Sequence, residues 1–165
     1  MLKVLFLDLD GVMVTDRDWQ PLGWDHGPFD TELFDPECVK VLNRVLRETD
    51  AQVVLSSDWR LHLSLTQMWD VFKFNQVERM PLGFTGFECE EESRRVPAKR
   101  LEEFRGLEVT NWLTQHGFGN QFDFWVAVDD MNLSPHCRRF VRTSWKVGLA
   151  TPGVEEKLVA MLNGK

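Results

Sequence analysis

Lys3-Val4-Leu5-Phe6-Leu7-Asp8-Leu9-Asp10-Gly11-Val12 joins an apolar run to two acids and a glycine. Such a run, apolar at every position, reads as a strand covered on both faces. A buried strand gains nothing from ending in carboxylates unless something polar sits at its mouth. In open α/β sheets that mouth is where ligands bind, beyond the carboxyl ends of the strands. Asp8 and Asp10 are therefore candidates to hold a metal and attack a substrate.

Two later segments repeat the pattern. Ala51-Gln52-Val53-Val54-Leu55 is a second apolar strand and runs into Ser56-Ser57-Asp58-Trp59-Arg60. Phe124-Trp125-Val126-Ala127-Val128 is a third and ends in Asp129-Asp130. Arg139–Thr143 reads as a weaker strand nearer an edge. Between the strands, Asp35-Pro36 supplies a helix N-cap and first turn, with Val39, Leu42, Val45 and Leu46 on one helical face. Leu61, Leu65, Met68, Trp69 and Phe72 mark a second helix. Leu107, Trp112 and Leu113 mark a third, and Val154, Leu158 and Leu162 a C-terminal one. A short strand is expected near Pro81–Phe84. Strands alternating with helices predict an α/β fold with a parallel sheet and right-handed crossovers. Asp8, Asp10, Ser56, Asp129 and Asp130 then gather at one sheet edge.

The chain's 165 residues suit a single domain over 1–165. Residues 12–34 are irregular and rich in Gly, Pro, Asp and Trp, as expected of a flap-like insert. Residues 60–99 offer a small helical and loop insert. Hydrophobic residues make up 43% and charged residues 27%, which is the balance of an ordinary globular protein. The net charge of −7 argues against broad binding to long duplex nucleic acid, which needs a basic face. Cys38, Cys89 and Cys137 form neither a CxxC pair nor a disulfide framework. Asp8 and Asp10 interrupt the only N-terminal run that resembles a leader, and no segment is apolar enough to span a membrane. A reducing, cytoplasmic setting is expected.

Four carboxylates at one edge repel each other unless a cation joins them. An all-oxygen set of Asp8, Asp10, Asp129 and Asp130 suits Mg²⁺, and the ion admits an anionic phosphate. Asp8, at the strand tip, is placed to attack phosphorus and form an aspartyl-phosphate. Asp10 can protonate the leaving oxygen and later take a proton from water. Ser56 can hold a phosphoryl oxygen, and a cation is still needed for charge on the transferred group.

These segments resemble the haloacid dehalogenase (HAD) superfamily. Asp8-Leu9-Asp10-Gly11-Val12 is similar to its first motif, Val53-Val54-Leu55-Ser56-Ser57 to its second and Val126-Ala127-Val128-Asp129-Asp130 to its fourth. The third motif is a lone Lys or Arg before a helix; Arg105 fits best, with Lys99 the alternative. Phe34–Cys38, Val54–Arg60, Arg105–Val109 and Val128–Asp130 resemble one branch more closely. That branch is the HAD domains of Swiss Army Knife RNA-repair proteins. The resemblance implies a three-layer, Rossmann-like parallel sheet with helices on both faces, and a Mg²⁺-dependent phosphatase with Asp8 as nucleophile and Asp10 as acid/base. The Asp10 carbonyl and the Asp129 side chain would complete the metal site. It also implies an open site with a minimal cap, able to take a bulky phosphomonoester such as a nucleotide or a nucleic-acid end. A phosphotransferase, or a non-catalytic binding module on the same scaffold, remains open.

Other residues carry plainer expectations. Arg60 is expected to pair with a neighbour such as Asp58, the alternative being contact with substrate. Trp59, Trp69 and Trp112 should pack the core; Trp19 and Trp24 should pack on the surface, with stacking on a base the alternative. Arg94, Arg95, Lys99 and Arg100, beside a glutamate run, read as a solvated mixed-charge loop as readily as a polyanion guide. Asp130 serves equally as ligand or helix cap.

Overall fold

A computed structural model of the chain describes residues 2–16, 34–86, 98–116 and 124–165. Its centre is a five-stranded, all-parallel sheet. The strands are β1 (Val4–Leu7), β2 (Gln52–Leu55), β3 (Gly83–Phe84), β4 (Trp125–Asp129) and β5 (Phe140–Arg142), in the order β3-β2-β1-β4-β5. The α/β, Rossmann-like architecture read from the sequence is the observed one.

The alternation of side chains on the strands sorts the core into two layers. Leu5 and Leu7 of β1, Val53 and Leu55 of β2, and Val126 and Val128 of β4 face one side. There they meet α1 (Pro36–Thr49), α2 (Leu65–Phe74) and α4 (Val154–Leu162). Val4, Phe6, Val54, Trp125 and Ala127 face the other side, against Val109, Trp112 and Leu113 of α3 (Ala98–Gln115). Phe6 is fully buried and meets Trp112 and Trp125 edge-on at 5.3 and 6.1 Å.

The helix ends follow from local chemistry. Asp35 caps α1 through the Glu37 amide, with Pro36 in the first turn. Ser64 and Gln67 form a reciprocal capping box on α2. Between β2 and α2 a single 3-10 turn, Asp58–Leu61, is capped by Ser57. The second helix is thus split in two, and Leu61 lies on the turn rather than on α2. Trp112 packs inside, whereas Trp69 is about half exposed, with its indole tied to the Pro81 carbonyl at 2.8 Å. The expectation that Trp69 is a core residue is corrected: α2 turns that position outward.

The topology places the site. From β1 the chain steps to β2 and β3 on one side, then crosses to β4 on the other side of β1. The order therefore reverses between β1 and β4, and the crevice of an open sheet lies there. Leu7 pairs with Leu55 and with Val128, so the residues after each strand emerge side by side. Within 12–34 only Val12–Asp16 and Phe34 are described; Trp19 and Trp24 lie outside the described residues. Within 60–99, residues up to 86 link β2 to β3, and 87–97, with Cys89, Arg94 and Arg95, lie outside them. Among the described residues no helix is long and apolar enough to cross a membrane.

Phe6 joins sheet and α3 in one contact set, so Phe6→Ala should cost about 3–5 kcal/mol. Chemical denaturation of wild type and variant measures this directly.

Candidate active site

β1 ends at Leu7, and the next residue, Asp8, is 4% exposed, with its amide bonded to the Val128 carbonyl at 3.1 Å. The chain then turns sharply. The Leu9 carbonyl accepts from the amides of Val12, Met13 and Val14. Gly11 sits at φ +71°, the left-handed region that favours glycine. A Cβ there would lie 2.6 Å from the Asp130 carboxyl carbon. Glycine at this point thus serves two ends: it makes the turn and lets Asp130 lie against the loop.

At the tip of β4, Asp129 is fully buried, and its Oδ1 accepts from the Met131 amide at 2.8 Å. One oxygen each from Asp8, Asp129 and Asp130 lies within 4.8 Å of the others. Close carboxylates without water are costly as anions. Burial raises the Asp8 carboxyl to about 6, and the partly opposing Arg105 charge does not cancel that. Burial also raises Asp129 well above the carboxylate range, with the Asp8 charge adding to the shift. The donor set is all oxygen, closely spaced and electron-rich, which fits a hard divalent cation.

Arg105 supplies the positive charge that the chain itself provides. Its buried guanidinium donates through Nη1 to Asp8 Oδ1 at 3.0 Å and to Asp129 Oδ2 at 3.4 Å, and through Nη2 to Asp58 Oδ1 at 3.0 Å. Four anions, Asp8, Asp129, Asp58 and Glu108, hold its proton firmly, raising its pKa despite burial. The expectation for a motif-three cation placed Arg105 before a helix. It lies instead well inside α3, the helix having begun at Ala98. Lys99 also falls on α3, and its side chain is outside the described residues.

Gly106 lets α3 come close enough to deliver Arg105. A Cβ at Gly106 would stand 2.5 Å from the His136 Cβ. Beside it, Glu102 accepts from the Asn132 amide at 3.2 Å, joining α3 to the loop after β4. From the other side, Arg60 Nη2 donates to Glu108 Oε2 at 2.6 Å and Arg60 Nη1 to the Ser57 carbonyl at 2.9 Å. The Arg60 and Glu108 side chains are 2% and 7% exposed. Arg60 therefore pairs with Glu108, not Asp58 as the sequence suggested. Asp58 is taken by Arg105, and the Arg60–Glu108 pair ties α3 to the loop after β2. Ser56 is buried in that loop, its amide bonded to the Leu7 carbonyl at 3.0 Å.

Asp10 stands apart from the three-carboxylate cluster. It is exposed at the rim, and its Oδ2 accepts from the Trp59 indole N–H at 3.0 Å. Partial burial raises its pKa, and the Trp59 hydrogen bond opposes the rise. Trp59 packs inside as expected, but its polar edge aims an acid. Reading it only as core misses that role. A tryptophan two residues beyond a Ser-Ser strand end was the available signal, because a buried indole N–H needs an acceptor. Glu108 was equally legible in outline, since it lies three residues from Arg105 on one helical face.

The family described as a HAD domain in Swiss Army Knife RNA repair proteins matches residues 4–154, and the chain belongs to that family. No significant match was found among curated proteins or among solved structures.

Two measurements check this electrostatic picture. Glu108→Gln leaves the buried Arg60 charge without its anion, and should destabilise the fold by about 3–5 kcal/mol in denaturant titration. Asp8 binds its proton more tightly folded than unfolded, so its ionisation works against folding as pH rises from about 4 to about 6. In chelator, the stability of Asp8→Asn relative to wild type should therefore rise across that window; a flat difference would contradict the assignment.

Proposed function

We propose that this member of the HAD family is a Mg²⁺-dependent phosphomonoester hydrolase acting through an aspartyl-phosphate. The observation that carries the reading is the placement of Asp8. It is buried at the switch point of the sheet, gripped on one oxygen by Arg105, with Asp129 and Asp130 alongside. An acid in that setting is oriented by the fold before any substrate arrives.

In the proposed reaction an Asp8 carboxylate oxygen attacks phosphorus, and the bond to the leaving oxygen breaks. Asp10 gives that oxygen its proton. A water then attacks the phosphorus of the aspartyl-phosphate, Asp10 takes the water's proton, and phosphate and free Asp8 result. Burial raises the Asp10 pKa, which favours the protonated form that gives the proton. Trp59 holds one Asp10 oxygen, which leaves the other for the proton transfers. Arg105 offsets negative charge beside the nucleophile, and the Ser56 hydroxyl holds a phosphoryl oxygen. Asp8, Asp129 and Asp130, with the Asp10 carbonyl, would hold Mg²⁺, whose charge offsets that of the phosphate.

The exposure of Asp10 and the family's description support the substrate class. Asp10 at the rim is exposed, as an acid must be to reach the leaving group of a large substrate. The family is described by RNA repair, and we assign the substrate as a nucleotide or nucleic-acid end. Cys38 and Cys137 are free and buried, in keeping with a reducing cytoplasm.

A screen of phosphomonoesters tests the proposal. Asp8→Asn should lower turnover by at least about 10³-fold and Asp10→Asn by about 10²–10⁴-fold, with both variants folded. Removal of Mg²⁺ by chelation should abolish turnover, and its return should restore it. Wild-type rates in Asp8→Asn would refute the mechanism.

A further inference from the structure

Past β5 the chain runs back along the loop that carries Asp10. Arg142 Nε donates to the Asp130 carbonyl at 2.8 Å, and Thr143 Oγ1 to the Gly11 carbonyl at 2.9 Å. The Trp145 carbonyl accepts from the Asp16 amide at 3.2 Å, and the Leu149 amide donates to the Val12 carbonyl at 2.9 Å. Gly148, at φ +53°, allows the close approach, since a Cβ there would stand 2.2 Å from the Val12 oxygen. Residues 142–149 are thus clamped to the β1 loop on the β4 side of the crevice.

On this clamped segment stands Trp145, a large aromatic side chain left 52% exposed. The Lys146 ammonium lies 5.8 Å from its ring centroid. A cation beside an exposed indole contrasts with the acidic crevice and with the chain's charge of −7. An exposed ring costs solvation unless a partner covers it. Among partners, a nucleobase stacks on the ring while its phosphate meets the Lys146 ammonium. A sugar phosphate or a simple alkyl phosphate has no π-face to stack on the ring. The half-exposed Trp69 differs, because it lies on α2 with its indole N–H engaged by Pro81.

We propose that Trp145, with Lys146 beside its ring, is a base-stacking subsite that selects phosphomonoesters whose leaving group carries a nucleoside. This rests on the phosphatase reading and deepens it, by assigning recognition of the leaving group to residues outside the motifs that carry the chemistry.

The test compares substrates with and without the base. Adenosine 3′- and 5′-monophosphates are set against ribose 5-phosphate, with short 3′- and 5′-phosphorylated oligoribonucleotides as further arms. Wild type should favour at least one base-bearing substrate by kcat/KM, and the favoured arm tells a free nucleotide from a nucleic-acid end. Trp145→Ala should lower that preference about tenfold, mainly through KM, and Trp145→Phe should keep most of it. A wild type indifferent to the base, a preference unchanged in Trp145→Ala, or an equal loss on all substrates would overturn the subsite. A wild type that hydrolyses no phosphomonoester would instead overturn the phosphatase reading. Direct titration with a labelled phosphorylated oligoribonucleotide then decides the subsite: about tenfold weaker binding by Trp145→Ala supports it, and equal binding refutes it.

Discussion

The Arg105 guanidinium, buried against Asp8, Asp129 and Asp58, is the interaction on which the rest of the site depends. It binds the tips of β1 and β4 to the loop after β2, and so sets three segments of distant sequence in one frame. Its placement has demands of its own. Gly106 must be small for α3 to reach the loop after β4, and Arg60 and Glu108 must pair to hold α3 to the loop after β2. A buried ion pair of this kind contributes little net stability relative to apolar packing, but leaving either partner alone is costly. Its value here is geometric: it orients Asp8.

The same arrangement explains the site's appetite for positive charge. Asp8, Asp58, Glu108 and Asp129 pair with the guanidiniums of Arg60 and Arg105, and Asp130 lies beside Asp8 and Asp129. Burial drives the protein-side carboxyls towards protonation, and a hard cation relieves the same strain while keeping them charged. The exposed rim works by different means. Asp10 is aimed by Trp59, and Trp145 offers an exposed aromatic face with Lys146 beside it. Under the proposed function, the crevice and the rim would serve different parts of one phosphorylated substrate.

The sheet was legible because its signal is local. Apolar runs at Val4–Leu7, Gln52–Leu55 and Trp125–Asp129, each followed by polar residues, state both the strands and their common edge. The caps of α1 and α2 were legible for the same reason. What the sequence withheld were choices among partners. Arg60 lies two residues from Asp58 in sequence, yet it pairs with Glu108, because only the docking of α3 decides which anion is near. Arg105 looked like a residue preceding a helix, since the α3 pattern is weakly amphipathic and its start carries no clear cap signal. Trp59 looked like core because burial and hydrogen bonding coexist in one side chain, and sequence periodicity reports only the first. Glycine at 106 carried no message until its distance to His136 was known.

The central claim is that Asp8 is the atom-bearing nucleophile of a phosphoryl site. Beryllium fluoride, which mimics an aspartyl-phosphate, tests it most directly when its binding is followed by fluorine NMR or calorimetry. Wild type should bind it stoichiometrically only with Mg²⁺ present, and Asp8→Asn should not bind it. Absence of binding to the wild type, or equal binding by Asp8→Asn, would contradict the account.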